Sequence, residues 1–171
     1  MKTSELVALG FRYPTPTAAA DLSRLIEAES NAEVQRHMSR FVEEVGALSL
    51  GEWEEIHTAT IDLDPRFVPY VGHVAWGENY RRGAFMADLN AAMTEADVDL
   101  GGELPDHIEP ILRYLAATDE PLDDLVEVLP GVIAEMNSVL KTAVPDSPYR
   151  HLLAATLACA GNRPVKIGGR R

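Results

Sequence analysis

The stretch NAEVQRHMSRFVEEVGAL (Asn31–Leu48) decides the fold class. Val34, Met38, Phe41, Val42 and Val45 recur at i, i+4, i+7, i+8 and i+11, one face of a helix buried against a core. Asn31 stands before the first apolar position, where an Asx side chain caps the leading N–H groups. The same period continues on both sides. Leu6 and Leu9 begin a short helix that ends before Pro14. Leu22, Leu25 and Ile26 line a second helix, and Leu50, Trp53 and Ile56 a fourth. The end of that segment, HTATIDLD, alternates in the manner of a strand, but nothing else in the chain would pair with it, so helix is the better reading.

Downstream, Phe85, Met86, Leu89, Met93 and Ala96 are spaced as a helix, with Arg81 and Arg82 assigned to its polar face. Leu104 to Ala117 is read as a helix with Ile108, Ile111, Leu112 and Leu115 inward and Pro110 in its first turns, where a missing N–H costs least. PLDDLVEVL (Pro121–Leu129) is expected to be a short helix, and Pro130 to start another carrying Val132, Ile133, Met136, Val139 and Leu140. Ser147 and Pro148 read as the N-cap and first position of a last helix that Gly161 closes. Asp62, Asp64 and Pro65 mark a loop. The expectation is therefore an all-α fold, a compact single-domain bundle of about nine or ten helices over residues 1–161, followed by a basic flexible tail at 162–171.

The 171 residues are 46% hydrophobic, enough for one core, and their 27 acidic and 15 basic side chains give a formal net charge of -12. Such a balance disfavours nucleic acid and favours basic partners. Four of the bases, Arg163, Lys166, Arg170 and Arg171, lie in the tail, so the body is more acidic still. The single cysteine, Cys159, sits in an apolar run and reads as a buried structural thiol. No apolar run is long enough to span a membrane and the N-terminus lacks a signal-peptide pattern, so a cytoplasmic protein is expected.

Enzymatic motifs are missing. There is no GxSxG, no HExxH and no phosphate-binding glycine loop. RRGAFMADL (Arg81–Leu89) resembles a twin-arginine signal only superficially, because it lies mid-chain on an amphipathic helix. Two segments stand out instead. In VPYVGHVAWGE (Val68–Glu78), a helix over Val68–Gly77 would align Tyr70, His73 and Gly77 on one face, with Trp76 alongside. Its two glycines, Gly72 and Gly77, weaken such a helix and suggest a bend or a close backbone approach. In GGELPDH (Gly101–His107), Pro105 fits a first helical position, and Glu103 and Asp106 would meet the positive end of the helix. His107 fits less well there, because a helix N-terminus disfavours its protonated form. A metal site or hydrolase built on Glu103, Asp106 and His107 is a competing reading.

In order and spacing, LGFRYPTP, TATIDLDPRFVPYVGHVAWGENYRRGAFMADLNAA and GGELPDHIEPILRYLA resemble the NarJ, TorD and DmsD family of chaperones that mature molybdenum enzymes, nitrate reductase among them. The resemblance covers most of residues 5–160. It implies an all-helical, non-enzymatic cytoplasmic protein without a cofactor of its own. Such a protein binds the N-terminal or twin-arginine-type peptide of a catalytic subunit. It assists insertion of that subunit's molybdopterin guanine dinucleotide before export or membrane docking. The family's peptide-binding motif falls on Glu103, Pro105, Asp106 and His107, and its companion region on Tyr70, His73, Trp76, Gly77 and Glu78. The expected roles are Asp106 and Glu103 contacting basic residues of the peptide, His107 and Tyr70 shaping the pocket, and Trp76 lining its floor. The chain departs from the family pattern at His57, Ile61 and Glu78. The alternative is a general helical peptide-binding or scaffold module without a molybdoenzyme client.

Overall fold

The computed structural model describes residues 1–62 and 67–161, and within them the chain forms nine α-helices and no strand. These are α1 (Thr3–Gly10), α2 (Ala18–Ile26), α3 (Ala32–Gly46), α4 (Leu50–His57), α5 (Val71–Trp76), α6 (Tyr80–Glu95), α7 (Ile108–Ala117), α8 (Asp123–Ala143) and α9 (Tyr149–Gly161). The all-α reading holds, and so does the choice of helix over strand across His57–Asp62, the described part of HTATIDLD. There α4 runs directly into a π-helical turn, Thr58–Asp62. The basic tail and most of the Asp62–Pro65 loop fall outside the described residues.

Local chemistry sets several of the boundaries. Asn31 caps α3 by accepting from the N–H groups of Glu33 and Val34. Ser49 and Glu52 form a reciprocal capping box on α4, which satisfies two orphan donors together. Asn79 caps α6 through the Arg81 N–H at 2.8 Å. The boundaries expected at Pro130 and Ser147 are not found. Pro130 does not start a helix but lies inside the 21-residue α8. Leu125, Leu129, Val132, Ile133, Met136 and Leu140 form one buried stripe that runs past the proline in register. Continuous burial there outweighs the hydrogen bond that proline removes. Ser147 does not cap α9, since its Oγ is buried without a hydrogen-bond partner.

Helix α9 is central and packs against α1, α3 and α8. Phe41 of α3 lies edge-on between Trp53 of α4 and Tyr149 of α9, with ring centroids 6.0 and 5.5 Å away. The fully buried Tyr149 receives the Trp53 Nε1–H at 3.2 Å and meets His57 Nδ1 at 2.7 Å. That polar knot fixes the end of α4 and hence the π turn beyond it. Helix α7 packs on α1, while α5 packs on α6 and α8. The segments before α5 and α7 meet each other through an isolated bridge between Tyr70 and His107.

Candidate functional site

The segment expected to open α7 does not belong to the helix. Helix α7 begins at Ile108, and Leu104–His107 approaches it outside the helix. Pro105 is therefore not a first helical residue, and the cap is His107. Its Nδ1 accepts from the Glu109 N–H at 3.3 Å. This resolves the misfit noted for a histidine at a helix start. An imidazole that accepts at Nδ1 is neutral, and burial holds His107 below its usual pKa despite Glu103, Glu109, Asp106 and Asp62 nearby. The missing N–H of Pro110 falls among the orphan donors, so it costs little.

Helix α5 is also shorter than expected. It starts at Val71, with Tyr70 at the N-cap position and Gly77 closing it at φ 67°, a conformation that favours glycine. Tyr70, His73 and Gly77 consequently do not form one helical face. Instead Tyr70 pairs with His107 in an isolated antiparallel bridge. The Val71 N–H donates to the Asp106 carbonyl at 2.8 Å, and the Ile108 N–H to the Pro69 carbonyl at 2.9 Å. The two sequence segments singled out above are thus hydrogen-bonded to each other.

Beneath the bridge lies an ion pair. Asp106 has no exposed surface, and Arg82 of α6 donates its Nε–H to Asp106 Oδ2 at 2.9 Å. Arg82 is itself buried, which corrects its assignment to the polar face. Desolvation alone would lower its pKa, but Asp106 and Glu78 more than offset this and hold the guanidinium charged. A β-carbon on Gly72 would lie 2.8 Å from Asp106 Oδ2, 3.1 Å from Arg82 Cγ and 3.2 Å from Phe85. Close approach is therefore what requires a glycine at 72. Asp106 cannot touch a peptide in this arrangement, contrary to the expected role, because its carboxylate is spent on Arg82.

From Arg82 the network runs outward. Glu78 pairs with Arg82 and accepts from His73 Nδ1, and both partners hold its carboxyl below the usual range. The Arg82 guanidinium lies 5.8 Å from the Tyr70 ring centroid. The Tyr70 hydroxyl donates to Glu103 Oε2 at 3.3 Å, and burial with Glu103 raises its pKa. Trp76 packs edge-on against Phe85 at 4.8 Å, with Arg81 over its ring at 5.0 Å. The expected set is thus one connected cluster, but it does not line one pocket. His73 borders a cavity of about 230 Å³ against Glu135, Met136 and Val139 of α8. Glu103 and His107 border a separate cavity of about 500 Å³, whose lining includes neither Trp76 nor Glu78.

That larger cavity has features the sequence reading passed over. His57 joins His107 in its lining, Arg12, Arg113 and Glu109 form an ion-paired wall, and Asp62, Asp99 and Glu103 supply acids. Glu109 accepts the Nε–H of Arg12 at 3.0 Å and that of Arg113 at 2.9 Å. The i, i+4 spacing of Glu109 and Arg113 was visible in the sequence. The reach of Arg12 across 97 residues was not. Tyr13, 54% exposed, stands at the mouth and packs edge-on to His57 at 5.3 Å. It also borders a mainly apolar hollow of about 270 Å³ formed with Leu9, Ala18, Leu22, Leu25 and Trp53, with Arg12, Thr15 and Asp21 on the same lining.

Among the described residues no group of three or more His, Cys, Asp or Glu side chains is arranged to hold a metal ion. No helix there is long and apolar enough to cross a membrane. Cys159 is half-buried. No protein-family model matches the chain, and no curated protein matches its sequence.

Proposed function

We propose that this protein is a cytoplasmic maturation chaperone for a molybdopterin-dependent oxidoreductase. It binds the N-terminal segment of the catalytic subunit, a basic peptide of the twin-arginine type or its remnant. It holds that subunit while the molybdopterin guanine dinucleotide is inserted, and releases it for export or membrane docking. The chaperone carries no cofactor and performs no chemistry of its own.

The observation that carries this reading is the acid-edged cavity beside Glu103 and His107, set in a chain of net charge -12. Acids at the mouth attract a basic peptide and speed encounter, while the apolar hollow beyond Tyr13 offers burial for its hydrophobic residues. Glu103 keeps the contact expected of it, Asp62 and Asp99 take the place of Asp106, and Asp106 holds the cavity wall in place. The resemblance of ELPDH and its companion segment to the NarJ, TorD and DmsD pattern supplies the client class.

Affinity capture from the native cytoplasm, followed by mass spectrometry, tests the proposal. Recovery of a molybdenum-enzyme catalytic subunit, lost when Asp99 and Glu103 are both made neutral, is the expected result. Recovery of unrelated basic proteins by the same acids would favour a general peptide-binding module. Capture indifferent to those acids would refute the site.

A further inference from the structure

Two nearly buried imidazoles border the 500 Å³ cavity, His57 at 4% and His107 at 5% exposure. In each ring Nδ1 is already committed. His107 Nδ1 accepts from the Glu109 N–H, so the ring proton of the neutral form resides on Nε2. The tautomer of His57 follows from its partner. Trp53 Nε1 can only donate, so the Tyr149 hydroxyl accepts from it. That hydroxyl is fully buried, and among the described residues the acceptor in reach of its own proton is His57 Nδ1 at 2.7 Å. His57 therefore also carries its proton on Nε2. Neither Nε2 has a hydrogen-bond partner among the described residues. Arg12 and Arg113 spend their Nε–H groups on Glu109, which leaves their Nη groups likewise without partners there.

The His57 and His107 Nε2–H groups and the Arg12 and Arg113 Nη groups thus make a donor wall, in which the Glu109 carboxylate is already shared by the two arginines, while Asp62, Asp99 and Glu103 offer acceptors elsewhere on the lining. A free phosphate or carboxylate would satisfy the donors but would meet three acids against two arginines already shared with Glu109. A neutral acceptor beside a cation meets both sides. Main-chain carbonyls next to an Arg or Lys side chain have that chemistry. Resting on the peptide reading above, we propose that the donor wall, His107 Nε2–H foremost, binds main-chain carbonyl oxygens of the client peptide while a neighbouring basic side chain lies on the acids. The site then reads backbone and charge rather than a particular apolar sequence.

The test uses a fluorescein-labelled 20-residue peptide with an Arg-Arg pair in an apolar sequence, together with versions bearing one backbone ester at each bond around the pair. An ester carbonyl is a weaker acceptor than an amide carbonyl. His107→Asn keeps a capping acceptor for the Glu109 N–H but removes the Nε2 donor. The expected result is about tenfold weaker binding to His107→Asn, the upper end for one lost hydrogen bond. One ester position should weaken binding to the wild type by a similar factor and add nothing in His107→Asn. Peptide bound equally by both proteins, with no sensitive ester position, overturns the donor wall and leaves the peptide reading intact. Competition by millimolar inorganic phosphate without ester sensitivity overturns it in favour of an anion site. No binding of the peptide to the wild type overturns both.

Discussion

Replacing Asp106 by alanine distinguishes a buried lock from a peptide contact. The substitution removes the Nε–Oδ2 hydrogen bond of 2.9 Å and leaves the Arg82 side chain, 9% exposed, with Glu78 as its carboxylate partner among the described residues. Breaking a buried pair from one side costs about 3–5 kcal/mol, chiefly because a charge stays behind without compensation. Glu78 is largely exposed and well hydrated, so it compensates only in part, and the lower end, about 3 kcal/mol, is expected. In a domain of this size that is a fall in melting temperature of about 6–12 °C. In urea it moves the midpoint by about 1.5 M for a slope near 2 kcal/mol per molar. The double variant Asp106→Leu, Arg82→Met removes both charges together and should regain most of the loss. A melting temperature unchanged in Asp106→Ala, with peptide affinity abolished, would refute the lock and restore Asp106 as a direct contact.

Other perturbations bear on the same region. Gly72→Ala drives a methyl group against Asp106 Oδ2, which Arg82 prevents from retreating, and should destabilise by about 1–3 kcal/mol in chemical denaturation. Tyr149→Phe leaves Trp53 Nε1–H and His57 Nδ1 without a partner in the core, a loss of about 2–4 kcal/mol by the same assay for two such groups. Burial holds His57 and His107 below the ordinary imidazole range, against Asp62 in both cases and Glu103, Glu109 and Asp106 in the second. The unfolded chain takes up protons there that the folded one refuses. Their contribution to stability is thus complete above about pH 6.5 and is lost as the pH falls below it, at up to about 1.4 kcal/mol per pH unit for each ring. Denaturation midpoints measured from pH 7.5 to 5 should fall, and the fall should be shallower in His107→Asn.

The sequence made the helices legible because their apolar stripes are long and regular. Val34, Met38, Phe41 and Val45 are all buried as spaced. It misjudged the places where two distant segments satisfy each other. A single-sequence period cannot show that Tyr70 and His107 form a bridge, and that bridge delays the start of α5 and α7. Arg82 looked solvent-facing because its partner lies 24 residues away. Gly72 was legible in kind, as a close approach, but not in identity, since the approaching atom belongs to Asp106. At Pro130 the apolar stripe that continues past it, not the local preference of proline for a helix start, decides the boundary.

The burial of Asp106 also changes what the ELPDH segment can be asked to do. A motif that reads as a row of ligands divides between two tasks. Asp106 faces inward and ties the approach to α7 onto α6, while its carbonyl holds the first N–H of α5. Glu103 remains exposed and meets Tyr70 at the surface. His107 joins the two, with one nitrogen spent on the helix start and the ring bordering the cavity. Loss of binding in Asp106 variants therefore says little about contact, because the wall that carries His107 and Glu103 moves with it. Variants of Asp99, Glu103 and the His107 donor report on recognition itself, and a stability measurement beside each affinity separates the two tasks.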